Sequence, residues 1–142
     1  MKRLKTVTFL IIVCIITING YSQESKTQNK MKITNVKNVE IKETPHKVDV
    51  RLLYDHENAQ VMHITLQAGE SLKPHKTPVD VFFYILEGNP HILVGEEKKQ
   101  VEKDDLVESP KNIVHCLYNE TNKQVRILVV KSPKPTSATK VL

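Results

Sequence analysis

Two histidines stand in stretches whose residue types could hold a metal ion or orient a small polar ligand. His75 lies in LKPHKTPVDVFFYILEG, Leu72–Gly88, and His115 in SPKNIVHCLYN, Ser109–Asn119. A neutral imidazole offers a ring nitrogen lone pair to a divalent ion, or a hydrogen bond to a ligand. Residues two apart on a strand share a face, so Thr77 and Val81 keep the parity of His75 if the strand is regular. By the same rule His115, Leu117 and Asn119 share one face, and Cys116 and Tyr118 the other. Pro78 can break the first pattern, because proline inside a sheet is confined to edges and bulges. A bulge there would swing Asp80 inward. Two imidazoles and one carboxylate have the facial-triad composition that suits Fe(II) and other divalent metals.

The remaining histidines are less well placed. His63 shares a strand face with Val61 and Thr65 and reads as outward-facing. His91 follows Pro90 at the start of a hairpin strand, and His46 and His56 sit in turns. Cys116 reads as a small packed hydrophobe, since no second cysteine outside the N-terminal segment could resolve an oxidised form. Asn119-Glu120-Thr121 is formally a glycosylation triplet, but a strand-end role already accounts for Asn119.

The elements that must position these residues are strands. From Lys47 onward apolar and polar residues alternate, and short strands arrive about every 8–12 residues with turn signals between them. Strands are expected near 48–53, 61–67, 81–86, 91–94, 98–102, 106–108, 114–118 and 125–131. Weak alternation over Met31–Lys42 (Ile33, Val36, Val39, Ile41) predicts a further, outer strand, broken by Thr44-Pro45. VFFYIL, Val81–Leu86, is apolar on both faces, as in a strand covered on two sides. No stretch forms an amphipathic helix. The fold class is all-β, and a jelly roll is the natural solution for so many short strands, because it pairs most edges internally.

Gly69, His75, Thr77, Val81 and Gly88 have the spacing of the first cupin motif. Asp104-Asp105, Pro110, Asn112, His115 and Asn119 have that of the second. The chain from Val61 to Lys131 resembles the cupin superfamily, and the resemblance implies a single cupin jelly-roll β-barrel and a homodimer. His75 and His115 would then face each other across the barrel. A metal-binding cupin carries histidine at the positions of His75, Thr77 and His115, and glutamate at that of Val81. Two of those ligands are present here, so the resemblance implies a degenerate metal site. Family glycines are replaced by Asp104 and Asn112, both of which suit turns. Three readings follow. The first is a domain that binds a small molecule in a pocket lined by His75, Thr77, Val81, His115 and Asn119. The second is a metal-dependent enzyme, an oxygenase or isomerase, holding one divalent ion (Fe, Mn, Ni or Zn) on His75, His115 and Asp80. The third is an assembly unit pairing through VFFYIL. No catalytic residue is singled out.

Organisation and charge bound the partners. Met1–Ser22 has a basic start (Lys2, Arg3, Lys5), an apolar run from Thr6 to Ile18, and small residues at Gly20 and Ser22. That is the three-part plan of a signal peptide, with an uncleaved anchor as the alternative. Cys14 is no lipobox cysteine, since Val13 precedes it and the apolar run continues past it. Gln23–Lys30 is a polar linker, 31–132 the domain and 133–142 a flexible tail. Removing the signal takes three of the 21 basic residues and leaves 18 against 16 acidic ones. These charges are interspersed, which argues against a nucleic-acid partner. With one cysteine left, the domain must fold without an internal disulfide. The domain is thus expected in the periplasm or outside the cell, without a membrane anchor after cleavage. N-terminal sequencing of the exported protein is expected to begin at Gln23; a chain starting at Met1 in the membrane fraction would show the segment to be an anchor.

Overall fold

Alternating side chains build the two layers of the domain. The computed structural model describes residues 30–142; the expected signal segment and most of the polar linker lie outside the described residues. The strands are β1 (Asp49–His56), β2 (Ala59–Leu66), β3 (His75–Lys76), β4 (Asp80–Glu87), β5 (His91–Val94), β6 (Glu97–Gln100), β7 (Leu106–Ser109), β8 (Val114–Tyr118), β9 (Val125–Ser132) and β10 (Lys140–Val141). Strand β4 buries Val81, Phe83 and Ile85, and β9 buries Val125, Ile127 and Val129. These every-second-residue sets are the inward faces of the pleat. They meet Leu72, Ile92 and Leu117 from the opposite layer in one core.

Two five-stranded antiparallel sheets result, in the orders β1-β2-β9-β4-β7 and β10-β3-β8-β5-β6. The chain changes sheet at most of its connections, which is the jelly-roll arrangement. Among the described strands no ladder joins one sheet to the other, so the two layers form a sandwich rather than a barrel closed by hydrogen bonds. Asp104 (φ 74°) and Asn112 (φ 62°) hold the left-handed turns expected at their positions.

Both ends of the domain differ from expectation. Met31–Lys42 forms no strand; it contains a single 3-10 turn, Val36–Asn38, capped by the Asn35 side chain. The cause is Arg51 on β1. Its Nη1 donates to the carbonyls of Val36 and Val39 while Asp49 holds the other side of the guanidinium. Five donors in a fixed fork gather this segment without a ladder. The last ten residues are not a free tail. Lys140 and Val141 pair with Lys76 and His75, and the Leu142 amide donates to the Pro74 carbonyl. This short strand covers the otherwise open edge of β3.

Gly88 is held by two constraints. Its φ is +81°, and a Cβ there would lie 2.6 Å from Cγ1 of Val125. Gly69 shares the first constraint (φ +80°) but has nothing within 4 Å of a Cβ. Gly88→Ala is expected to cost about 2–4 kcal/mol, from the left-handed penalty plus overpacking. Gly69→Ala is expected to cost about 1–2 kcal/mol, from the first term alone. Urea unfolding of both variants checks the difference, and equal losses would show that the contact with Val125 relaxes freely.

Candidate functional site

The register of β3 and β8 sets His75 directly opposite His115 on adjacent strands. The two histidines are therefore neighbours in one sheet, not partners across the sandwich. Their Nε2 atoms are 3.0 Å apart. The protons can be assigned by elimination. The Nδ1 of His75 lies 2.8 Å from the Lys73 carbonyl, which can only accept, so it carries the hydrogen. Neutral His75 then presents a lone pair at Nε2, and the Nε2–H of His115 donates to it. The Nδ1 of His115 must accept, and the hydroxyl of Ser109 donates to it across 2.8 Å. Hydrogen bonds thus run in one direction from Ser109 through both rings to Lys73. Ser109, His75 and His115 are buried, so little water competes for these bonds.

These histidines close one end of a cavity of about 180 Å³ between the sheets. Its walls are mostly apolar: Val50, Met62, Ile64, Val81, Phe83 and Val129. Lys42 and Pro45 stand exposed at its rim, and Thr139 and Val141 reach it from the C-terminal segment. A third histidine, His46, also lines it, with its ring centroid 4.7 Å from that of His75. Its Nδ1 accepts the Lys73 amide at 3.0 Å, so in neutral His46 the hydrogen is at Nε2. Lys131 enters from β9. Its parity with Val125, Ile127 and Val129 placed it on the inward face, a signal the sequence reading did not use. No local pattern marks His46; the Lys73 contact sets its position.

The other expected site residues divide. Thr77 is buried with Oγ1 3.4 Å from Nε2 of His115, and Val81 lines the cavity wall. Asp80 does not turn inward. It is exposed, and its Oδ1 accepts the Lys111 amide at 2.8 Å. The strand is regular from Asp80 to Ile85 and its register shift falls later, between Ile85 and Glu87, so no bulge swings that carboxylate toward the histidines. Asn119 is not a pocket residue. Its side-chain amide donates to the carbonyls of Leu66, Gln67 and Lys123, and its Oδ1 accepts from Thr121. It ties the β8–β9 turn to the end of β2. Cys116 is buried and its thiol donates to the Leu72 carbonyl. His63 is on the outer face as expected, but it is covered there and accepts from Nε of Arg126.

Comparison with known proteins agrees with this geometry. The cupin domain family matches residues 62–131. The chain carries a cupin domain. No match was found among curated proteins. Among solved structures it is similar to the TT1209 protein of Thermus thermophilus, with 26% identity, a TM-score of 0.64, and coverage of 74% of this chain and 100% of that one. It is similar in fold to the polyketide cyclase RemF of Streptomyces resistomycificus, at 17% identity and a TM-score of 0.68, covering 80% and 86% of the two chains. The fold of KdgF from Halomonas sp. matches with a TM-score of 0.66 at 12% identity, over 75% and 97%.

Cupins can hold a metal, and the residues here can be tested for one. The spacing alone would serve: nitrogens 3.0 Å apart match two cis ligands with bonds of about 2.1 Å. The donor set does not. Val81 cannot ligate, the Thr77 hydroxyl stays protonated near neutral pH, and Asp80 is engaged elsewhere. Among the described residues no group of three or more His, Cys, Asp or Glu side chains is arranged to hold a metal ion; His46, the third histidine at the cavity, has its Nδ1 engaged by the Lys73 amide. Lys131 and Lys42 at the cavity further disfavour a cation. The residues present do not fit a resident metal centre.

Electrostatics in this cupin domain keep the imidazoles neutral. Burial, with His75 and Lys131 pushing the same way, lowers His115 to about 3. Burial also lowers His75, against the opposing bond to the Lys73 carbonyl. His46 is lowered to about 4, by burial first and then by His75. The unfolded chain takes up these protons below its ordinary value of 6.5, whereas the folded chain refuses them. Stability is therefore greatest above that value and falls on acidification, by about 1.4 kcal/mol per pH unit for His115, with contributions of the same sign from His75 and, reduced by solvent screening, from half-buried His46. Urea unfolding between pH 6.5 and about 5, above most carboxylate titration, is expected to show this slope. His115→Asn should reduce it by about one proton's worth; an unchanged slope would mean His115 titrates normally in the folded state.

Proposed function

We propose that this cupin domain binds a small organic molecule in the cavity between its sheets and does so without a resident metal. The cavity itself carries the reading. It is mostly apolar, closed at one end by neutral histidines whose ring nitrogens are already partnered, and it has a few polar groups near its rim. Ligand sites have this composition: an apolar wall for affinity and a few placed polar groups for orientation. About 150 Å³ of apolar space is enough to take up benzene, so the volume here suits a compact ring or branched chain.

The metal-dependent alternative on His75, His115 and Asp80 has two nitrogens at a suitable spacing but lacks its third donor, since Asp80 is held by the Lys111 amide. RemF and KdgF lend their fold and not their activities, since both likenesses fall below 25% identity. In this proposal the domain acts after export, once Met1–Ser22 is removed. It works as a homodimer, paired through the half-buried outer face of β4 around Phe82 and Tyr84.

Two measurements on the purified protein test it. Elemental analysis is expected to find far less than one metal ion per chain in wild type, His75→Ala and His115→Ala alike. Amide resonances of Ile64, Phe83 and Val129 are expected to shift when a compact aromatic ligand is added. Stoichiometric metal lost in both histidine variants would overturn the proposal in favour of the metal enzyme.

A further inference from the structure

The cavity contains cationic and donor groups with no acid to answer them. Its lining includes Lys42, Lys131 and three histidines, and no aspartate or glutamate. Lys131 makes one long hydrogen bond, from Nζ to Oγ1 of Thr139 at 3.4 Å. Among the described residues, neither Lys131 nor Lys42 takes part in an ion pair. This is unusual for a chain whose 16 acidic side chains are interspersed with its basic ones. An ammonium has three donors and no acceptor, so most of the capacity of Lys131 is unspent.

Other donors converge on the same space. Thr44 lines the cavity, and its hydroxyl is buried without a partner. His46 carries its hydrogen at Nε2, because its Nδ1 takes the Lys73 amide. Buried donors are ordinarily satisfied, and an orphan among them asks for an acceptor that the protein does not supply. Beyond these groups stand Met62, Ile64, Phe83 and Val129, which offer dispersion contacts and nothing polar.

We propose that the ligand is an organic acid with a compact apolar body, its carboxylate held by Lys131 with Thr44 and His46 as donors and its body packed between the sheets toward Phe83. This inference rests on the small-molecule reading of the same cavity and narrows it to a chemical class. Burial first, then Lys42, pushes the Lys131 ammonium below the usual lysine range. A carboxylate beside it would oppose both effects. A bare inorganic anion would leave the apolar wall unused, and a neutral ligand would leave the ammonium unanswered.

Benzoate and benzamide, nearly the same in shape and different in charge, separate the two claims. Their dissociation constants are to be measured by calorimetry at neutral pH on wild type, Lys131→Met and Lys131→Arg, with amide shifts confirming the cavity as the place of binding. Benzoate is expected to bind wild type at least about tenfold more tightly than benzamide, as a charge-assisted hydrogen bond does over a neutral one. Lys131→Met is expected to bring the ratio close to one, and Lys131→Arg to keep a preference for benzoate. A melting curve for each variant shows that the fold is retained, and Lys42→Ala, at an exposed rim position, gives a second reduction of the ratio without touching the interior. Equal binding of the two ligands to wild type, or an unchanged ratio in Lys131→Met, would overturn the organic-acid inference and leave the small-molecule reading standing. Binding of neither ligand in the cavity would overturn both.

Discussion

The hydrogen bond between His115 and His75 constrains the centre of this domain. It exists only while His75 is neutral at Nε2, because a proton there would set two N–H groups against each other at 3.0 Å. Each ring is held in its tautomer by a group that has no choice of role or a clear preference: the Lys73 carbonyl at one end and the Ser109 hydroxyl at the other. Burial then enforces what the hydrogen bonds arrange, since charging an imidazole in the core would cost more than leaving it neutral. The pair depends in turn on the register of β3 against β8. A slip of β3 by one residue would turn His75 to the other face, while β8 stays in register with β5. β3 contributes only two residues to that register, and the C-terminal strand pairing on its free edge helps to fix it.

Neutral histidines change the electrostatics of the cavity. A cupin with a metal has a divalent charge at this depth, and carboxylates near it would be drawn in. Here Val81 and Thr77 occupy two of the positions where the family places ligands, and the imidazoles bond to each other instead. The positive charge that remains belongs to Lys131 and Lys42, nearer the rim. A site with that polarity attracts anions and repels the cations that the fold often holds. Valine at 81, where the cupin resemblance implies a glutamate, and the unpaired lysine at Lys131 are in this sense one property. The two residues are cross-strand partners on β4 and β9, and a carboxylate at the first would have neutralised the second.

Much of this was legible in the sequence, for reasons that differ by residue. The spacing of Gly69, His75, Gly88, Pro110, His115 and Asn119 gave the jelly roll, because those turns and strand ends are set by local geometry. Asp104 and Asn112 were readable as turn residues, and both adopt positive φ. The relation of His75 to His115 was not readable, since period-two alternation gives a side chain's face and says nothing about which strand lies next to it. Asp80 was misplaced because its partner is a backbone amide, Lys111, in a distant turn. The N-terminal segment escaped for a similar reason: Arg51 gathers it through carbonyls, and carbonyls carry no sequence signal. Lys131 is the instructive case. Its parity was plain, but a lysine at the end of an apolar strand reads as a solvated terminus unless the strand is followed to its last inward position.

In the organic-acid proposal, most of the groups that would select the ligand lie outside the segment that defines the family. Residues 62–131 match the cupin domain, and within them fall Met62, Ile64, His75, Val81, Phe83, His115 and Val129. Those residues make an apolar chamber with a neutral end, which many sequences could supply. Lys42, Thr44 and His46 come from the segment before it, and Thr139 and Val141 from the one after. They are held by hydrogen bonds to the rest of the domain: the Lys42 amide to the Val50 carbonyl, the Lys73 amide to Nδ1 of His46, and the Leu142 amide to the Pro74 carbonyl. The family match stops at Lys131, whereas the fold likenesses, which cover 74–80% of the chain, run on into these flanking segments at only 12–26% identity. Lys131 is the last matched residue and the place where the two meet, with its ammonium turned to Thr139 of the C-terminal segment. A domain built in this way can keep its core nearly fixed while the flanking segments alter what the cavity accepts. This is why the chemistry of the rim, rather than the fold, carries the argument about the ligand.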